Sequence, residues 1–470
     1  MIQVNTDRSK TGSPHVTPSR QGWYRELSRY HWFVLVVAAL GWLFDTMDQQ
    51  LFNLARVPAM RELLAGSYSS PSDLKRAVDA YGPYATAIFL IGWATGGLIF
   101  GVLGDRIGRA KTMMLTILVY SVFTGLSALS FGFWDFALYR FLTGLGVGGE
   151  FAVGVALVAE VMPERARPFA LGLLQALSAV GNITAAMISM VFGHLEATGA
   201  VGSGWRWMFV IGTLPALLAI VIRRRLKEPE RWQAVAAEDS ARRQLGSFRE
   251  LFGDPRWRRR AIVGLLLASS GVIGLWGIGF FSFDLIDAVL RHRFESQGMA
   301  PNEVAGNVAF WKGITSVMQN LGGFFGIYAF SHVTFFIGRR WSFAISFVLA
   351  LISTALVFWY LDDFAEIFWM IPLMGFCQLS LFGGYAIYFP ELFPTRLRST
   401  GTSFCYNIGR YVAASGPLTL GLLTSRVFAD PSLSPDMPLR YAGVAMSVVF
   451  LIGLVVIPFA PETKDQPLPE

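Results

Sequence analysis

Stretches of about 20 residues with few or no charges recur along the whole chain, separated by short polar segments. An α-helix rises about 1.5 Å per residue and a bilayer's hydrocarbon core is about 30 Å thick, so runs of this length predict membrane-crossing helices. Twelve are predicted, near 32–55, 83–103, 112–131, 134–162, 168–195, 205–222, 261–288, 306–331, 341–360, 365–389, 398–426 and 440–460. The fourth, fifth, seventh and eleventh exceed the minimum, leaving room for tilts or kinks. The first is long and no small-residue cleavage site follows it, which reads as a span rather than a signal peptide. The fold class this predicts is an all-α integral membrane protein of twelve transmembrane helices in two pseudo-symmetric six-helix bundles. Its expected parts are a polar tail over 1–30, bundles over 31–222 and 261–460, a linker over 223–260 and a tail over 461–470. Within that linker, Arg242–Phe252 is compatible with short amphipathic helices or with a disordered connection.

Composition agrees with a lipid environment. Of the 470 residues, 53% are hydrophobic and only 15% charged, whereas a soluble surface needs roughly 25%. Mean hydropathy is +0.48. Of the 39 Lys and Arg residues, 27 fall in the tails and even-numbered connections. Positive segments stay on the cytoplasmic side, so both termini are expected there, in a multi-pass cell (plasma or inner) membrane protein. The net charge of +7 then reports topology and attraction to anionic headgroups, and no nucleic-acid partner is implied. Cys377 and Cys405 lie in apolar runs and make no disulfide framework. His31, His194, His292 and His332 are scattered at span ends, His15 lies in the tail, and no Gly-x-x-x-x-Gly-Lys-[Ser/Thr] loop occurs. Metal sites, cofactors, ATP hydrolysis and enzymatic function are therefore not expected.

The chain also repeats itself. Glu160-x-x-Pro163-x-Arg165-x-Arg167 recurs as Glu391-x-x-Pro394-x-Arg396-x-Arg398, Gly108-Arg109 as Gly338-Arg339, and Pro229-Glu230 as Pro461-Glu462, all at an offset of 230 to 232 residues. Landmarks in one order at one offset define a duplicated six-helix unit, and duplicated membrane bundles commonly place a substrate site at their interface near the midplane.

Several of these segments resemble one family. Gly101-Val102-Leu103-Gly104-Asp105-Arg106-Ile107-Gly108-Arg109-Ala110-Lys111 resembles the signature loop of the major facilitator superfamily. Tyr139-Arg140-Phe141-Leu142-Thr143-Gly144-Leu145-Gly146-Val147-Gly148 is similar to the span-four motif of its sugar-porter and organic-acid (metabolite:proton) symporter branches. So are Glu228-Pro229-Glu230-Arg231-Trp232, Pro461-Glu462-Thr463-Lys464 and Phe389-Pro390-Glu391-Leu392-Phe393-Pro394-Thr395-Arg396-Leu397-Arg398. The resemblance runs over about 30 to 465. It implies a gate at the cytoplasmic ends made by Gly101, Asp105, Arg106 and Arg109. Glu160, Arg165, Arg167, Glu391, Arg396 and Arg398 are expected to pair across the halves and release when the cavity opens inward. The second loop, at Gly338-Arg339-Arg340, lacks the Asp, and no Gln-Gln pair of the sugar-porter kind occurs in span seven.

Ionisable residues inside spans are expensive and mark function by default. Asp45 and Asp48 share one face of span one. The resemblance pairs a span-one acid with the span-four Arg, which suggests Asp48 with Arg140 for proton coupling and leaves Asp45 one turn away as the alternative. Glu150, in Gly148-Gly149-Glu150, is a further proton or substrate candidate. Arg410 is central in span eleven, and its fork suits a substrate carboxylate or else a pairing with Asp45, Asp48 or Glu150. Lys312 is placed to snorkel outward or assist an anion, and Asp284 and Asp287 to form a solvated rim. Asn407, Gln175, Gln319, Gln378 and Tyr385, with Asn182 and Asn320, are candidate hydrogen-bonding partners of a polar solute. Trp276, Phe280, Trp311 and Phe382 are candidate rings. The expected activity is alternating-access, proton-coupled symport of a small organic anion by a functional monomer whose partners are substrate, protons and lipid. A sugar or polyol carrier is the alternative substrate reading, and a solute-sensing receptor on a carrier fold is the alternative from another class.

Overall fold

The computed structural model describes residues 22–238, 244–279, 282–413, 419–420, 422–428 and 437–470. The chain is a stack of long helices, and among the described residues there is no strand. In chain order, α1 is Arg29–Leu64, α2 Pro71–Arg106, α3 Arg109–Ser127, α4 Phe133–Val161, α5 Arg167–Ala197, α6 Gly204–Ile211 and α7 Ala216–Arg225. After the short α8 (Glu230–Ala237) and α9 (Phe248–Gly253) come α10 Pro255–Val272, α11 Ser282–Ser296, α12 Pro301–Ile337, α13 Arg339–Tyr360, α14 Phe364–Leu392, α15 Arg398–Ala413, α16 Met437–Ser447 and α17 Val449–Val456. Eleven helical stretches among the described residues are long and apolar enough to cross a membrane. The stretch predicted at 398–426 runs partly outside the described residues, as do most of the tail over 1–30 and the start of the Arg242–Phe252 segment. Leucine, isoleucine, valine and phenylalanine side chains such as Ile91, Val122, Leu138, Leu217, Phe325, Ile352 and Val455 remain exposed, the pattern of a surface clothed by lipid tails rather than water.

Three predicted continuous spans are interrupted, the twelfth by a turn at Val448 between α16 and α17. The sixth breaks into α6 and α7 at Gly212–Pro215, because Pro215 brings no N–H to the helical ladder. The seventh passes through a π-helical turn, Ile273–Ile278, and π-bulges widen a helix where function needs irregular backbone.

The duplication is visible in packing. Gly92 and Gly96 of α2 lie against the backbone of Phe141 and Leu145, while Gly144 and Gly148 of α4 lie against Phe89 and Trp93, leaving no room for a side chain on either helix. One repeat later, Gly322 and Gly326 of α12 meet the backbone of Pro372 and Phe376, and Gly375 of α14 meets that of Gln319. Backbone approach of this kind holds membrane helices together where no hydrophobic effect separates tail from Leu. Both loop glycines turn with positive φ, +111° at Gly108 and +89° at Gly338, a region glycine enters freely. Glu228 then accepts from the backbone N–H of Ala110 and Lys111, each at 3.1 Å, and Glu462 from those of Arg339 (3.0 Å) and Arg340 (3.1 Å). Each six-helix unit thus ends in a glutamate that returns to cap its own third helix.

Candidate functional site

Two regions hold the predicted residues: a cavity between the halves, and a closed seam at the basic end formed by the loops around Gly101–Lys111 and Phe389–Arg398.

The seam is built on Asp105. Its carboxylate, fully buried, accepts from the backbone N–H of Ser399 (3.1 Å) and Thr400 (2.9 Å) and from Thr400 Oγ1 (2.6 Å). An acid of the first half therefore caps the N-terminus of α15 in the second, where the helix dipole favours an anion. Arg109, one turn on, reaches Asp105 at 3.2 Å, grips Glu160 with both Nε (3.1 Å) and Nη2 (2.9 Å), and donates to the Thr395 carbonyl of the other half at 2.6 Å. Arg398 crosses back to Glu160 Oε1 at 2.7 Å. Gly101 completes the contact, because a Cβ there would press on Ser403 and the Ser399 carbonyl.

The second copy repeats only part of this. Arg339 grips Glu391 at 3.1 and 2.8 Å as Arg109 grips Glu160. At the position of Asp105 stands Phe335, and at that of Thr400 stands Phe169. The two rings meet with centroids 5.3 Å apart, so a polar cap on one side of the pseudo-twofold is an apolar contact on the other. Arg167 donates to the Ala159 carbonyl at 2.9 Å and, unlike Arg398, makes no ion pair across the halves among the described residues. Three other gate candidates, Arg165 and Arg396 expected across the halves and Arg106 expected in the loop gate, find partners outside the six-helix units. Arg106 donates to the Leu245 carbonyl (3.3 Å), Arg396 pairs with Glu250 (2.6 Å) and Arg165 with Glu26 (2.9 Å). These three tie the seam to the linker and N-terminal segment, whose docking the motif spacing does not encode. Outside the spans, burial raises the Glu462 carboxyl but the four N–H groups of Arg339, Lys464, Arg340 and Thr463 outweigh it, holding it below the usual carboxylate range.

The cavity, about 690 Å³, lies on the far side of the seam from the basic end. Arg410 is on its floor, its guanidinium between the rings of Trp93 (4.2 Å) and Tyr406 (4.3 Å), arrangements worth about 0.5–2 kcal/mol each. Nη1 donates to the Tyr406 carbonyl (2.8 Å) and Asn407 Oδ1 (3.1 Å), Nε has no partner, and no described carboxylate pairs with it. Of the alternative partners Asp45, Asp48 and Glu150, none is at ion-pair distance, and Asp45 lies within electrostatic reach. Gln175 and Gln319 line the cavity, and so do Asn182 and Asn320, which join the halves through a 2.8 Å hydrogen bond. Trp276 and Phe382 are also on the wall.

Five expectations are corrected here. Tyr385 is not in the wall: it is buried among Phe343, Phe382 and Phe389 and donates to the Leu267 carbonyl at 2.8 Å. Gln378 gives its amide to Thr354 Oγ1 (2.6 Å) within the second half. Asn407 sits below the floor, donating to Gly148 O (3.3 Å) and Ser403 O (3.1 Å), and touches the cavity only through Arg410. Trp311 packs on Phe364 and Phe368 instead of lining the cavity, while Phe280 lies outside the described residues. Lys312 does not snorkel to lipid but meets Asp287 at 3.1 Å on the cavity wall. Gln49, Gln50 and Asn53 of α1, unnoticed in sequence, also line it. Their i, i+1, i+4 spacing beyond Asp45 and Asp48 was the available signal.

The carboxylates of α1 and α4 lie behind this wall. Asp48 accepts from Thr124 Oγ1 at 2.6 Å and faces Arg140 Nη1 at 3.8 Å, all fully buried. Arg140 spends its other nitrogens on Ser127 (2.7 and 3.1 Å) and Thr143 (3.0 Å), over the Phe209 ring at 4.6 Å. Asp45 and Glu150 have no hydrogen-bond partner on any oxygen. Asp45 is within electrostatic reach of Glu150, Asp48 and Arg410.

Paired helical halves, a central polar cavity closed at one end and buried charges behind it define the class of membrane carriers. A family profile described as "Sugar (and other) transporter" matches residues 54–260. A putative metabolite transport protein of Haemophilus influenzae is 30% identical over 451 residues, 94% of this chain and 99% of that protein. The cis,cis-muconate transport protein of Acinetobacter baylyi is 28% identical over 344 residues, 72% of this chain and 76% of that one. Among solved structures, the proton:xylose symporter XylE bound to 6-bromo-6-deoxy-D-glucose superimposes with a TM-score of 0.72 at 16% identity, covering 93% of this chain and 98% of its own. The chain belongs to the major facilitator superfamily. It is a multi-pass membrane transporter of the metabolite-symporter kind, and not an enzyme.

Proposed function

We propose that the protein couples the entry of protons to that of a small organic anion by alternating access across the plasma membrane, with the basic end and both termini cytoplasmic and the monomer as working unit. In this reading the present form is outward-open. The observation that carries the substrate class is Arg410, a buried cation on the cavity floor with an unpartnered Nε and no described carboxylate at ion-pair distance, Asp45 lying behind the wall within electrostatic reach. Such a charge is stable only when something anionic answers it. The cis,cis-muconate transport protein named among the relatives carries a dicarboxylate, which agrees in class. For coupling, the loosely paired Asp48–Arg140 and the unpartnered Asp45 and Glu150 are the groups able to take a proton, and Asp48 is the first choice because it faces a charge that its neutralisation would free. The seam around Asp105, Glu160 and Arg398 is the inner gate. The amides of Gln49, Gln50, Gln175 and Asn182 favour a hydroxylated substrate as the second reading.

The test is a thermal-shift screen of the purified protein against aromatic acids, sugar acids, short carboxylates and neutral sugars, with Arg410→Lys and Arg410→Ala alongside. A ligand binding only the folded state raises Tm by mass action. Carboxylates should stabilise the parent and fail on both variants. Stabilisation by neutral sugars alone would sink the anion reading and favour the second.

A further inference from the structure

We infer that the lipid-facing side of the first half binds an anionic phospholipid of the leaflet at the basic end, its phosphate held by Arg29 of α1 with Arg224 and Arg225 of α7. The inference concerns the membrane and not the solute, and it stands whichever substrate the cavity takes. Two segments 197 residues apart in sequence meet at this place. The Tyr30 hydroxyl accepts from the Lys227 N–H at 3.1 Å and donates to the Lys227 carbonyl at 3.4 Å, which fixes the start of α1 beside the end of α7. Arg29 precedes Tyr30, and Arg224 and Arg225 end α7 just before Lys227, so three exposed arginines gather round one pair of hydrogen bonds. Among the described residues none of the three has a carboxylate at ion-pair distance. The acids of the two segments are engaged or displaced: Glu26 pairs with Arg165 at 2.9 Å, Glu228 accepts from the N–H groups of Ala110 and Lys111, and Glu230 stands beyond Pro229 at the start of α8.

From the arginines inward, both helices present apolar side chains to the bilayer. On α7, Leu217, Ile220 and Arg224 share a face at i, i+3 and i+7, with Val221 and Arg225 one position round, and Leu217 is 62% and Ile220 50% exposed. On α1, Arg29, Trp32 and Val36 repeat that spacing, and Trp32 and Val36 are exposed. At about 1.5 Å per residue each stripe runs about 10 Å from its arginine into the acyl region. Cation at the surface and hydrocarbon beneath it, on adjacent helices, match the headgroup and chains of one lipid. Tyr30 and Trp32 stand where amphipathic rings favour the membrane interface. A zwitterionic headgroup answers these cations poorly, because its own ammonium offsets its phosphate. A headgroup of net negative charge is attracted by every Arg near the surface, and the guanidinium fork suits its phosphate oxygens. Positive charge that served topology alone would need neither the Tyr30–Lys227 junction nor two aligned stripes.

The experiment titrates dioleoylphosphatidylglycerol or dioleoylphosphatidylcholine into the purified full chain in detergent, reading retained lipid by native mass spectrometry and Tm by fluorimetry. The parent is compared with Arg224→Gln/Arg225→Gln, with Arg29→Gln, and with Arg258→Gln/Arg259→Gln, which removes as much charge from another exposed basic stretch, at the start of α10. The parent should hold the phosphatidylglycerol about tenfold more tightly than the phosphatidylcholine and gain Tm from the former alone. The α7 double variant should lose about tenfold in phosphatidylglycerol affinity with the phosphatidylcholine unchanged. Arg29→Gln should lose less, and the α10 variant should keep the parent's preference. All these side chains are exposed, so Tm without lipid should match the parent's in every variant; the single change Arg29→Gln keeps the test open if the double variant melts early. Equal binding of the two lipids by the parent, a preference that survives both the α7 and Arg29 changes, or an equal loss in the α7 and α10 variants would overturn the inference, the cations then acting only as diffuse charge. Sodium phosphate added without lipid is the last arm. A gain in Tm equal to that from the phosphatidylglycerol would assign the arginines to a soluble anion and overturn the lipid site, and no gain supports it.

Discussion

Replacing Asp105 by Asn tests the inner gate with little change of shape. The native carboxylate receives three hydrogen bonds from Ser399 and Thr400 and an Arg109 nitrogen at 3.2 Å, all buried. Hydrogen bonds to a charged group contribute about 1.5–3 kcal/mol each, and an anion at a helix N-terminus about 0.3–2 kcal/mol. Asn keeps one acceptor oxygen and turns its NH₂ towards groups that are themselves donors, so at least one bond and the charge are lost. A net loss of about 2–3 kcal/mol is the result, and at 1.4 kcal/mol per decade that shifts the equilibrium between closed and open gate about 30- to 150-fold. Glu160 still braces Arg109 and Arg398, so the protein should fold. The assay is pulsed electron–electron distance measurement between spin labels at Ile107 and Phe336, exposed positions on opposite halves beside the gate, after replacing the free Cys377 and Cys405. The parent should give a short, narrow distribution and Asp105→Asn a long component. An unchanged distribution would refute the assignment of gating energy to Asp105 and leave the loop a purely topological role.

Other outcomes follow from the same geometry. Asp48→Asn keeps an acceptor for Thr124 but removes the charge facing Arg140, so protonophore-sensitive accumulation should vanish while equilibrative exchange persists; undiminished accumulation excludes Asp48 as the coupling acid. Gly96→Ala would drive a Cβ into the Leu145 backbone, and overpacking of this kind costs about 1–3 kcal/mol, read as a lower Tm with no ligand present. Glu462, whose carboxyl is held below its ordinary range, contributes stability that is present above the usual glutamate pKa of about 4.3 and lost as pH falls through its lower folded value. Parent Tm should therefore fall more steeply than that of Glu462→Gln below that pH, and parallel curves would count against the cap.

What the sequence revealed and what it hid divide along a physical line. Repetition and charge in an apolar run are local signals, and they carried the helices, the duplicated unit and the buried Asp45, Asp48, Arg140, Glu150 and Arg410. Whether a polar side chain faces a cavity or a neighbouring helix depends on rotation about the helix axis. Tyr385 and Gln378, on α14, are turned to Leu267 and Thr354, whereas Gln49 and Asn53, no more conspicuous in sequence, line the cavity. The partners of Arg106, Arg165 and Arg396 depend on where the linker and N-terminal segment fold back, which no spacing encodes. The loss of Asp from the second loop was legible, but its replacement by a Phe335–Phe169 contact needed both halves in view.

The returning glutamates have a mechanical meaning. Because Glu228 and Glu462 each fasten the end of a six-helix unit to its middle, each half is a closed circuit of chain with its stiffness inside itself. In the proposed stroke each half then moves as a unit, and what must give way is what joins the halves: the seam bonds of Asp105, Arg109 and Arg398 with the Asn182–Asn320 and Phe169–Phe335 contacts. In this proposal the protein is a pair of levers, each fastened within itself and joined by separable contacts, and a change in one of those contacts would alter the pace of the cycle without softening the levers.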